Sequence, residues 1–205
     1  MPNEKINSHR TTSSRRDILS MLYKGIFLAT HGAFVCPSLL LASESLSTVP
    51  NLLNNSLARA LFSIGKPKCT DAAKQLKTIQ DPDKKIYFEV RDAEINATDA
   101  STIANSFYNI SKKELSRLCS FSLSYNTQIG NAGIMSLVKA LPLSIHEIGF
   151  VDCGFGYQGA QALLGMIKKS PLLHTLCIEG NHIPKNVRNK FLELNQENPH
   201  LSIYI

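Results

Sequence analysis

The chain has no tryptophan among its 205 residues. That removes one of the side chains most often found as an anchor at protein interfaces and leaves tyrosine and arginine for the role. Its five cysteines, Cys36, Cys69, Cys119, Cys153 and Cys177, form no C-x-x-C pair. This excludes zinc-ribbon and thioredoxin-type sites and leaves buried free thiols as the simpler reading. Lysine and arginine outnumber the acids, for a formal charge of +6, but they do not cluster or interleave with aromatics. A nucleic-acid footprint is therefore missing. Long apolar runs are also missing. The uncharged stretch 25–43 carries His31 and Pro37, which leaves it at the lower limit for a membrane span.

The charge is unevenly spread. In residues 1–43, Lys5, Arg10, Arg15, Arg16 and Lys24 stand against only Glu4 and Asp17. Ser14-Arg15-Arg16-Asp17-Ile18-Leu19 followed by a moderately apolar stretch resembles a twin-arginine export signal, with Arg15 and Arg16 as the diagnostic pair. The resemblance implies a bacterial chain that is periplasmic or secreted. Ile18 and Ser20 depart from the usual Phe and Lys. Two other readings of residues 1–43 stay open: an uncleaved membrane anchor, and a leader on a cytoplasmic or host-translocated protein. Membrane contact is expected only if the segment is retained.

The C-terminal half repeats. The segments LCSFSLSYN from Leu118, IHEIGFVDC from Ile145 and LHTLCIEGN from Leu173 start 27 and 28 residues apart. Each has large apolar residues at relative positions 0, 3 and 5 and Asn or Cys at position 8, namely Asn126, Cys153 and Asn181. A fixed period of this size predicts stacked strand-plus-helix units. A longer first unit starts at residue 85, with Phe88 and Val90 at positions 3 and 5 and Ala93 at position 8. Helices are expected over 99–108, 131–141, 158–169 and 184–194, and a last strand over 201–205 with Ile203 and Ile205 pointing inward.

Residues 44–84 read as a linker and two helices that cover the first unit. Asn51 caps the first helix, which Gly65 and Pro67 stop, and Thr70 caps the second. Ser111 to Glu114 reads as a capping box.

The period, the Asn/Cys exchange at position 8 and the Gly-rich leads into the helices resemble the leucine-rich repeat family, ribonuclease-inhibitor-like subclass, over residues 85–205. The resemblance implies an α/β fold: a short solenoid with parallel strands on a concave face, helices on a convex face and an N-terminal helical cap. In such a fold position 8 bonds turn backbone that is otherwise buried and unpaired. Ala93 cannot do so, and its turn is expected to be looser.

Positions 2, 4 and 6 then face outward. They are Tyr87, Ser120, Glu147 and Thr175; Glu89, Ser122, Gly149 and Cys177; Arg91, Ser124, Val151 and Glu179. These residues are the expected partner-binding surface, joined by Tyr125 and Tyr204. Position 1 aligns Cys119, His146 and His174, which are metal-ligand types about 5 Å apart on stacked strands. Position 1 is also where exposed, variable residues fall, and no metal or cofactor is expected. His146, Asp152 and Cys153 do not make a nucleophile set, because position 8 points into the core. Gly154-x-Gly156-x-x-Gly159 mimics a dinucleotide loop but belongs to the repeat's own turn. The expected function is non-catalytic protein binding by an exported chain, with no nucleic acid. The alternatives are a membrane-anchored envelope structural or assembly protein, and a translocated effector that binds a host protein.

Overall fold

The computed structural model describes residues 51–205, and the twin-arginine segment lies outside them. The chain is α/β, with one five-stranded sheet whose strands follow sequence order and pair in parallel. The strands are β1 (Ile86–Glu89), β2 (Leu118–Ser122), β3 (Glu147–Gly149), β4 (Thr175–Cys177) and β5 (Ser202–Tyr204). Two helices precede the sheet, α1 (Leu52–Ile64) and α2 (Pro67–Thr78). Between strands run α3 (Ala97–Asn105), the short α4 (Lys112–Leu115), α5 (Gly130–Ala140), α6 (Tyr157–Ile167) and α7 (Lys185–Glu197).

Parallel neighbours need a crossover, and here each crossover carries a helix that lies beside the next: α3 on α5, α5 on α6, α6 on α7. α1 packs on α2 and on α3. Position 3 of every unit, Phe88, Phe121, Ile148, Leu176 and Ile203, stacks into one core that also holds Leu53, Leu57 and Leu61 of α1. Phe121 sits at the junction. It stacks on Phe88 at 5.1 Å and meets Phe107 and Phe150 edge-on at 6.1 and 6.2 Å. Such aromatic pairs add to area burial and fix the register of neighbouring units.

Several local expectations change. Asn51 adopts φ +65° and makes no side-chain cap. Its amide donates instead to the Gln80 carbonyl at 2.9 Å and ties α1 to the end of α2. α2 starts at Pro67, which suits a first helical position, and Thr70 lies inside it, donating to Lys66 O. Gly65, at φ +73°, ends α1 as expected. α3 begins two residues early because Asn96 and Asp99 form a reciprocal capping box. Ser111 Oγ accepts from the Glu114 amide as expected. The Glu114 carboxylate departs, accepting from the Leu53 amide at 3.4 Å and from Arg117 Nη1 at 3.0 Å. Arg117 is buried, and its other guanidinium nitrogens donate to the Lys84 and Asp81 carbonyls. A buried guanidinium is tolerated here because its donors are used.

Position 8 behaves as expected in chemistry but not in address. Asn126 Oδ1 accepts from the Ala93 and Ile95 amides at 2.8 and 3.0 Å. Its Nδ2 donates to Val90 O and Leu123 O at 3.0 and 2.7 Å. Asn181 likewise accepts from the Cys153 amide at 2.9 Å and donates to Phe150 O and Ile178 O at 2.7 and 2.9 Å. Each Asn thus serves the turn of the unit before it as well as its own. The Ala93 turn is therefore bonded at its Ala93 and Ile95 amides, contrary to expectation. The under-served turn is that of the unit starting at Leu118, where the neighbouring Cys153 offers only a thiol, 3.3 Å from Leu123 O.

The residue before each ladder position is left-handed, at Asp92, Tyr125, Asp152 and Gly180 (φ +48°, +64°, +48° and +74°). The turn recurs whatever the residue, because the sharp exit from the strand is set by the repeat.

Candidate functional site

The helices cover one face of the sheet and leave the other open. The open face is built by the even positions. Tyr87, Ser120, Glu147, Thr175 and Ser202 are paired in register, as are Glu89, Ser122, Gly149, Cys177 and Tyr204. Alternation along each strand sends positions 3 and 5 into the core and these outward. The structure brings the expected position-2, -4 and -6 residues other than Tyr87 together around an open depression of about 530 Å³, from Glu89 and Arg91 across to Cys177 and Glu179. Tyr87 and Tyr204 stand at its two edges, 71% and 52% exposed.

Within the depression the polar groups differ in their commitments. Arg91 Nη1 lies 3.4 Å from Glu89 Oε1, and its guanidinium sits over the Tyr125 ring at 5.0 Å. Ser124 is buried, its hydroxyl accepting from the Val151 amide at 3.1 Å and lying 3.3 Å from the Ser122 hydroxyl. Ser124 is therefore a structural brace more than a contact residue. Gly149 forms a bare floor between strands, where an added Cβ would come within 2.7 Å of Ser122 Oγ. Cys177 is half-buried, and its thiol is pushed up first by burial and then by the Glu179 and Glu147 carboxylates. It is a protonated thiol and a poor nucleophile at neutral pH.

The position-1 column does not form as the sequence suggests. The register shifts between Ile86 and Tyr87, so that β2 has one extra residue, Cys119, at a bulge, and Cys119 is buried at 4% exposure. His146 and His174 remain outside, rings stacked face to face with centroids 5.8 Å apart. His174 Nδ1 lies 3.0 Å from Thr175 Oγ1. Parallel stacked imidazoles do not converge on one ion, and among the described residues no group of three His, Cys, Asp or Glu is arranged to hold a metal.

Cys153 is buried with its pKa pushed up to about 12, chiefly by burial, partly offset by the Asn126 backbone N–H and raised further by Asp152. Sequence reading missed a second depression of about 520 Å³ on the helical face, between α6 and α7. Gly165 opens it, and Lys168, Lys190, Glu193 and Glu197 mix their charges around it. Its only sequence signal is the glycine inside the apolar pattern of α6.

No protein-family model matches the chain, and no curated protein matches it.

Proposed function

We propose that the chain is a non-catalytic protein-binding module of the leucine-rich-repeat type, in which α1 and α2 cap a short solenoid and the open, concave sheet face meets the partner. The observation that carries this is the union of outward positions from the first four strands and the turns after them in one open depression, on a face whose two edge strands carry the exposed Tyr87 and Tyr204. The shared position-8 bonding of Asn126 and Asn181 supports the solenoid, since each unit completes the turn of its neighbour. The shared core of α1 and the first strand supports the cap. The buried Cys153 thiol, pushed up to about 12 by burial, supports a role without covalent chemistry at that position. The Arg15-Arg16 motif supports export, to the periplasm or medium, as part of the same reading.

The test is site-specific photo-crosslinking in the native cell. A crosslinker at Ser120 or Thr175 captures a defined protein, and one at Gln161 on α6 does not. Capture from Gln161 alone overturns the reading and moves the interface to the helical face.

A further inference from the structure

We infer that the open sheet face recognises a basic, extended segment of its partner, whose lysine or arginine side chains pair with Glu147 and Glu179. The inference rests on the proposal that this face is the binding surface.

The charges on the face are not balanced among themselves. Its outward positions carry three carboxylates, Glu89, Glu147 and Glu179, against one guanidinium, Arg91. Arg91 is committed to Glu89 at 3.4 Å and to the Tyr125 ring. Among the described residues, Glu147 and Glu179 make no ion pair, although the whole chain is at +6. One Glu179 oxygen is also shielded from solvent and receives no hydrogen bond. A carboxylate oxygen out of water without a donor is costly, and a turn of the half-buried Glu179 side chain towards a lysine or arginine arriving from outside removes that cost.

The fields of the two carboxylates converge. Both raise the Cys177 thiol, more than the Arg91 charge lowers it; Cys177 lies at position 4 of its strand, between the position-2 row of Glu147 and the position-6 row of Glu179. The walls between them offer neutral polar groups, the hydroxyls of Ser122 and Thr175, above the bare floor at Gly149. A negative, open depression on a positive molecule selects partners by charge and speeds their encounter.

The spacing limits the shape of the segment. Glu147 begins β3 and Glu179 lies just past β4, so they are separated by four residues along the strand direction, about 13 Å, and by one strand spacing, about 4.8 Å, across it. In an extended peptide, residues i and i+4 lie on the same side at the same separation. A segment lying along the strands with cations four apart therefore sets one on each carboxylate. Cations three apart point to opposite sides and engage only one.

The experiment uses the full chain and fluorescein-labelled Gly-Lys-Gly-Ser-Gly-Lys-Gly. Controls are the same peptide with Glu for Lys, and a version with the lysines three apart. Anisotropy at low and physiological salt is the readout. The expected result is saturable binding of the first peptide that weakens as salt rises. Glu147→Gln with Glu179→Gln weakens it at least about tenfold, and Glu193→Gln with Glu197→Gln on α7 leaves it unchanged. Equal binding of the Glu peptide, equal loss in the α7 variant, or no saturable binding overturns the inference. Failure of the underlying proposal reads differently. If a crosslinker at Thr175 captures the native partner undiminished in the Glu147→Gln/Glu179→Gln chain, the face is the binding surface and the basic-segment inference is wrong. If capture from Thr175 is lost only in the substituted chain, both stand; if a crosslinker at Thr175 captures nothing in the unsubstituted chain, both are wrong.

Discussion

Replacing Asn126 with alanine removes a carboxamide that has no exposure to solvent. Two backbone amides, Ala93 and Ile95, lose their acceptor, and two carbonyls, Val90 and Leu123, lose a donor. Each buried group left unpaired costs about 1–3 kcal/mol. Four such losses in full would rival the stability of a whole domain, about 5–15 kcal/mol. The vacated space is about the size of a water, which needs two to four polar partners and finds them here. Rebonding of about half the groups leaves a net loss of about 3–5 kcal/mol. Asn181→Ala exposes an equivalent set in a side chain with 7% exposure, so water re-enters more easily and the loss falls to about 2–3 kcal/mol. Cys153→Ala removes long thiol contacts at 3.3 and 3.5 Å and the acceptor facing the Asn126 backbone N–H, and costs about 1–2 kcal/mol. Urea unfolding with a common m value measures all three. The order Asn126, Asn181, Cys153 is the substance of the prediction. If Asn126→Ala unfolds at the parent's midpoint, or if Cys153→Ala is the most damaging, the ladder account is wrong.

Gly130 and Gly154 are both left-handed, at φ +59° and +69°, but an added Cβ meets nothing at Gly130 and lies 2.1 Å from the Thr127 carbonyl oxygen at Gly154. Gly130→Ala therefore costs about 1 kcal/mol and Gly154→Ala clearly more, since backbone must move as well; equal unfolding midpoints would contradict the turn geometry. The Cys153 thiol is raised in the folded chain from 9.0 to about 12, so its contribution is complete below pH 9 and is lost as pH rises from there towards 12. By pH 10 that loss is about 1.4 kcal/mol. The urea midpoint of the parent then falls more steeply between pH 8 and 10 than that of Cys153→Ala; parallel curves refute the assignment.

The repeat was legible because it is written in apolar spacing. Positions 0, 3 and 5 at Leu118, Phe121 and Leu123, and again at Ile145, Ile148 and Phe150, match the buried rows of the sheet. The outward rows followed from alternation alone, and the structure assembles them in the expected register. The helix boundaries were less legible. Asn96 with Asp99 caps α3 two residues ahead of the apolar pattern, and Pro67 opens α2 where proline near a glycine also reads as a stop. Both signals are ambiguous in sequence because the same residues end one element and begin the next.

By itself the sequence determined which side chains face the core, which face outward, and that the units are strand followed by helix, because burial period is a local property of a chain. Only the tertiary structure decided what each side chain meets. The bulge at Cys119, the reach of Asn126 back to Ala93 and Ile95, and the seat of Arg91 over the Tyr125 ring all depend on residues about 30 positions away or on a neighbouring strand. Such contacts follow from the exact stacking of one unit on the next, and no spacing within a single unit encodes them.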